Sequence, residues 1–133
     1  MNDTLICSPT RSRTRFARAA TLLLVAGAWL EAGQHLDLVG AFSMAMREAD
    51  DAALKRARIF IDTEAAMSEG GDVALGLKSG AITRADIAGD LAALTRGAPG
   101  RTAAEEITLF KSIGASSEDL AAAMLVWKRA GGR

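Results

Sequence analysis

Short apolar, strand-like runs take turns along most of this chain with stretches whose apolar positions follow a helical period. Residues 35–42, "HLDLVGAF", alternate and then turn apolar, which predicts a strand leading into a loop. Residues 48–57, "EADDAALKRA", put acids first and Lys55 and Arg56 last, matching a short helix and its dipole. "RIFID" (58–62) reads as a second strand, and Thr63 can cap a short helix over 64–69 before Gly70 and Gly71. Over 82–97, "ITRADIAGDLAALTRG", Thr83 is a candidate cap and Ile87, Leu91 and Leu94 share a face, so one helix is predicted, ending at Gly97. "GAPGR" (97–101) is turn chemistry and "ITLF" (107–110) a strand. Ser116 or Ser117 then caps a last helix with Leu120, Met124 and Trp127 on one core-facing stripe.

Strands alternating with helices predict an α/β fold with a largely parallel sheet, whose ligands lie at the carboxyl ends of its strands. The loops after Val39, Asp62 and Phe110 are therefore the ones to watch. A length of 133 residues with half of them apolar allows one modest core.

Charge removes several functions. Sixteen basic residues balance sixteen acidic ones, so the long-range field of a nucleic-acid or anionic-membrane binder is missing, and neither partner is expected. Cys7 is alone and cannot form an internal disulfide; His35 is alone and has no cluster of metal-ligand type around it. A cytoplasmic location and no metal are expected. The basic stretch over 11–18 ahead of the apolar run over 19–30 imitates an export signal, but that run is too short to span a bilayer, and a buried segment of a soluble fold is the simpler expectation.

Residues 71–79, "GDVALGLKS", nearly match a phosphate-cradling loop. Leu77 stands between the second glycine and Lys78, and the segment follows a predicted helix instead of a strand, so nucleotide hydrolysis is not expected. No G-x-G-x-x-G occurs in these residues, so a dinucleotide pyrophosphate site would need residues from elsewhere. The acidic pairs Asp50/Asp51, Glu105/Glu106 and Glu118/Asp119 read as structural, and His35, at a strand start with nothing nearby to tune it, reads as structural or surface.

Several ordered motifs carry a more specific message. "EEITLFKSIG" (105–114) followed by "EDLAAAMLVW" (118–127) resembles the end of the ornithine cyclodeaminase/mu-crystallin family. The resemblance extends upstream through "AWLEAGQHLDLVGAF" (28–42), "MREADDAAL" (46–54), "IFIDT" (59–63), "EGGD" (69–72) and "PGRTAAEEIT" (99–108). It implies the C-terminal part of a Rossmann-type parallel sheet plus a C-terminal helix, a partial NAD(P)-binding domain over 19–133, with residues 1–18 unassigned. Members use NAD(P)H, and the glycine-rich loop and the carboxylate clamp belong to a part of the family pattern that this chain does not match, so no catalytic residue is assigned here. The resemblance implies that Val39 and Gly40 end a strand beside the nicotinamide and that Ser112, with Lys111 next to it, approaches the cofactor from the last strand. Phe42 and Glu69 fall at substrate positions.

Ornithine cyclodeaminases carry an aspartate where "VGAF" has Phe42, which turns the expectation from the lyase toward members that reduce cyclic imino acids of the Δ1-pyrroline-2-carboxylate type. Met44 stands where the family often has a proline, and "ATLLLVAGAWL" (20–30) is shorter than the family's pattern, without its serine and proline. The chain is thus expected to be a reductase fragment acting on a small imino or amino acid; the alternatives are a non-catalytic remnant or module that binds a homologous subunit, or ornithine cyclodeaminase proper.

Overall fold

The computed structural model describes residues 14–17 and 23–132. Five strands form one wholly parallel sheet: β1 (Thr14–Ala17), β2 (His35–Leu38), β3 (Arg58–Ile61), β4 (Ile87–Asp90) and β5 (Thr108–Lys111), in the order β1-β2-β5-β3-β4. Among the described residues four α-helices join or follow them: α1 (Asp51–Arg56), α2 (Gly71–Ser79), α3 (Leu91–Thr95) and α4 (Ser116–Arg129). The expected parallel α/β sheet with a C-terminal helix is what the chain forms.

Topology decides what lies on each face. The chain steps from β2 over to β3 and on to β4 in one direction, then returns to place β5 between β2 and β3. Crossovers between parallel strands are right-handed, so the outward steps lay α1 and α2 on one face and the return step lays α3 on the other. Residue parity follows. Leu36, Leu38, Ile59, Ile61 and Leu109 point to the first face and form the dry core with Ala53 and Leu54 of α1 and Val73 of α2. His35, Phe60, Thr108 and Phe110 take the other parity and, with Leu91 and Leu94 of α3, line an open cavity of about 510 Å³.

Local signals explain most boundaries. Asp50 caps α1 through Ala53 N at 2.8 Å, with Asp51 in the first turn and Lys55 and Arg56 in the last. Helix α2, over the segment that nearly matched a phosphate loop, ends on Gly80 in the left-handed conformation (φ 74°). It lies close to α1, since a Cβ on Gly76 would sit 2.5 Å from Leu54 Cδ1. The segment is a regular helix, and its geometry is not that of a phosphate-cradling loop.

The single helix expected over 82–97 does not form. Thr83 and Asp86 instead close a short 3₁₀ turn (Arg84–Asp86), in which Asp86 Oδ2 accepts from Thr83 N at 2.7 Å and Thr83 Oγ at 2.9 Å; these bonds hold the Asp86 carboxyl below its usual range. Residues 87–90 then pair with the open edge of β3, and Asp90 caps the shorter α3 by accepting from Ala93 N at 2.6 Å. An available strand edge and a cap in the middle of the run outweigh the apolar spacing. Three smaller expectations also change. Residues 64–67 form a 3₁₀ turn with no cap from the Thr63 side chain, α4 starts after Ala115 without a serine cap, and β1 falls in the segment to which no element was assigned.

The stripe on α4 is the largest correction. Leu120, Met124 and Trp127 are 61%, 63% and 65% exposed, and no residue of α4 is buried among the described residues. Of the apolar run over 19–30, residues 19–22 lie outside the described residues; Val25, Gly27 and Leu30 are buried, whereas Leu23, Leu24 and Trp29 are exposed.

The cap at Asp90 gives a prediction whose sign separates two structures. In a continuous helix, Asp90→Ala would stabilise, because alanine is the better interior residue. As the cap of α3, its loss costs about 1 kcal/mol, measured as a lower urea midpoint at unchanged slope.

Candidate functional site at the carboxyl ends of the strands

Strand pairing brings the ends of β2, β5 and β3 together. Leu38, Lys111 and Ile61 form one row across the sheet, and Ser112 N extends the ladder by donating to Leu38 O at 2.9 Å. Val39 and Gly40 therefore lie beside Lys111 and Ser112. The Val39 and Phe42 side chains stand clear of the core, 54% and 58% exposed, on a loop that turns sharply where Phe42 N donates to Gly40 O. Glu69 is exposed next to Gly70, where a Cβ would sit 2.7 Å from Ile113 Cγ2. The turn carrying Glu69 thus reaches the exit of β5, though no recorded contact joins Glu69 itself to the other five residues.

Lys111 has a different situation from its neighbour. It has core parity in β5, two residues beyond Leu109, and its side chain is fully buried. Its Nζ lies 3.3 Å from Asp72 Oδ2 and 3.5 Å from Glu48 Oε2, both on fully buried side chains. The Asp72 contact is an ion pair without hydrogen-bond direction, since that oxygen has no hydrogen-bond partner. The carboxylates reach further. Glu48 Oε2 accepts from Gly40 N and Ala41 N at 2.8 and 2.9 Å, and Asp72 Oδ1 accepts from Glu48 N and Ala49 N at 2.7 and 2.9 Å. One ammonium thus offsets two carboxylates whose remaining bonds go to the backbone of the loop after β2. The Lys111 ammonium faces this cluster, below the strand ends.

A third carboxylate shapes the exit of β5. Asp62, 4% exposed at the end of β3, takes Thr63 N on Oδ1 at 2.6 Å. Its Oδ2 takes Ser112 Oγ at 2.9 Å and the N–H groups of Ile113 and Gly114, both at 2.8 Å. Neither Glu48, Asp72 nor Asp62 was singled out from sequence, although a lysine at core parity in "TLFK" was a readable sign that buried carboxylates must lie opposite it.

His35 is better connected than its isolation in sequence suggested. Its Nδ1 is 2.8 Å from Thr108 Oγ1 at the amino end of the sheet. Burial lowers its pKa below the usual value, against the pull of Asp37, with Arg101 adding to the lowering and the bond to Thr108 opposing it. Burial likewise raises the Asp37 carboxyl, against His35 and Lys111. No group of three or more metal-ligating side chains occurs among the described residues, and no described helix is long and apolar enough to cross a membrane.

Two consequences are measurable. Lys111→Met leaves two buried carboxylates without a counter-charge and should cost about 3–5 kcal/mol, read as loss of cooperative unfolding or a strongly lowered midpoint. A cost below about 1 kcal/mol would show the cluster to be open to water. For His35, a folded-state pKa below that of a free imidazole means that acidification through the ordinary histidine range protonates the unfolded chain first. Stability should fall with pH in that window for the wild type relative to His35→Gln, whereas parallel profiles would contradict the shift.

A profile of the ornithine cyclodeaminase/mu-crystallin family matches residues 5–133. Protein SAR DEFICIENT 4 of Arabidopsis thaliana is 45% identical over 83% of this chain and 34% of its own length. The Δ1-pyrroline-2-carboxylate reductase of Paracoccus denitrificans is 46% identical over 73% of this chain and 31% of its own. The chain thus spans about a third of the length of these curated relatives. Among solved structures, the Δ1-pyrroline-2-carboxylate reductase of Thermococcus litoralis, in complex with NADH and L-proline, superposes with a TM-score of 0.77 at 32% identity, over 88% of this chain and 36% of that one. From the motifs, the sheet and these matches together, the chain belongs to the ornithine cyclodeaminase/mu-crystallin family.

Proposed function

We propose that this chain forms the C-terminal side of an NAD(P)H-dependent reductase of cyclic imino acids of the Δ1-pyrroline-2-carboxylate type, and that it works when the preceding part of the family fold is supplied. The observation that carries the reading is the exposed loop after β2, pinned from below at Gly40 and Ala41 by Glu48 and presenting Val39 and Phe42. The relative crystallised with NADH and L-proline superposes on this fold.

The residues present suit one end of a dinucleotide. Val39 offers an apolar edge, Gly40 a backbone held in place, and Ser112 a polar group on the neighbouring strand, which together suit a nicotinamide ring at the crevice above a parallel sheet. They do not suit the pyrophosphate, since no G-x-G-x-x-G occurs in the 133 residues. Lys111 contributes from beneath, by neutralising Glu48 and so holding the Gly40 backbone. When bound, NAD(P)H supplies a hydride for the imine carbon. Phe42 gives the substrate an apolar wall and, unlike an aspartate, has no basic atom to take a proton. Glu69, exposed on the turn before α2, offers a carboxylate to the substrate's charged nitrogen.

A second reading rests on α4. Its exposed Leu120, Met124 and Trp127 suit a non-catalytic chain that binds a homologous subunit. Joining this chain in register behind the preceding part of the Paracoccus denitrificans relative separates the readings. The proposal expects reduced-dinucleotide oxidation that depends on Δ1-pyrroline-2-carboxylate, with no ammonia released from ornithine. Ammonia release would establish the lyase instead. An inactive joined protein, with the separate chain captured by the full-length relative, would establish the binding module.

A further inference from the structure

Asp62 does more at the exit of β5 than close a turn. A hydroxyl has one hydrogen to donate and two lone pairs, and a carboxylate can only accept. The contact of 2.9 Å between Ser112 Oγ and Asp62 Oδ2 therefore commits the serine hydrogen to Asp62. The Ile113 and Gly114 N–H groups converge on the same oxygen and hold it there, while Thr63 N holds the other oxygen. Gly114 N also lies 3.2 Å from Ser112 Oγ and takes part of its acceptor capacity. What remains for a ligand is a lone pair on Ser112.

We infer that Asp62 is a positioning residue that makes Ser112 an obligate acceptor, so that the ligand group facing Ser112 must be an N–H or O–H donor. This rests on the reading above, in which a nicotinamide lies between the ends of β2 and β5. On that reading the donor is the NH2 of the ring's primary carboxamide, turned toward Ser112 with its carbonyl oxygen turned away. Asp62 thereby sets which way round the carboxamide sits, without touching it.

The test uses the chain itself and ligands that need no second phosphate site. The 15N-labelled chain is titrated with nicotinamide mononucleotide and with 3-acetylpyridine mononucleotide, which keeps the carbonyl but lacks the NH2, following the amides of Gly40, Ser112 and Gly114. One neutral hydrogen bond corresponds to about a threefold to tenfold preference for the carboxamide. Asp62→Ala frees the hydroxyl to donate to the acetyl oxygen, so the preference should collapse toward one. Ser112→Ala, which leaves the backbone donors of Asp62 in place, should do the same and serves if the first variant does not fold. Equal binding by the wild type, a preference that survives in both variants, or no shift at these amides with either ligand would overturn the assignment. A preference found alongside a joined protein that reduces no imine would leave Asp62 assigned and the reductase reading refuted. The converse pair of results would do the opposite.

Discussion

A lysine inside the sheet is the constraint around which this fold is arranged. Lys111 sits in a row with Leu38 and Ile61, where an apolar residue would be the cheaper occupant. Its burial is tolerable because Glu48 and Asp72, from the connection before α1 and the first turn of α2, approach it to ion-pair distance. Each carboxylate then spends its other bonds on backbone N–H groups that no helix or strand satisfies. The stretches carrying Lys111, Glu48 and Asp72 thus meet at one charge, and removing Lys111 leaves both carboxylates desolvated and without a counter-charge.

The consequence for function is a stiff rim made of loops. Loops after parallel strands ordinarily carry ligand sites and are ordinarily mobile. Here the loop after β2 is bound from below by Glu48, and the exit of β5 is bound from the side by Asp62. The stretches presenting Val39, Phe42 and Ser112 are therefore held by buried carboxylates. Elsewhere the chain is less finished. The face bearing His35, Phe60 and Phe110 is covered only in part by α3, and α4 projects an apolar stripe, in a chain that spans about a third of the length of its curated relatives.

Much of this was legible in the sequence because it rests on short-range rules. Alternation marked β2, compact β-type runs marked β3 and β5, and the charge order of 48–57 marked α1. The motifs pointed to Val39, Gly40 and Ser112 through resemblance, and strand pairing is what sets them side by side. Misreadings arose where a long-range partner decided the outcome. The spacing of Ile87, Leu91 and Leu94 fits a helix, but the free edge of β3 claimed residues 87–90, with Gly89 and Asp90 as the overlooked warnings. Helix α2 went unassigned because Gly71 and Gly76 lower its propensity, while in the fold Gly76 allows close packing against Leu54. Glu48 read as a first-turn acid of α1 and is a buried ligand of Lys111. Nothing local in the sequence distinguishes those two roles.

Backbone hydrogen exchange at single residues tests the central claim most directly. If the rim is held by buried carboxylates, the amides of Gly40, Ala41, Ile113 and Gly114 should exchange about as slowly as those of Leu36 and Leu109 in the core strands, although they lie in loops. Exchange at the rate of an ordinary surface loop, with the core strands still protected, would contradict it.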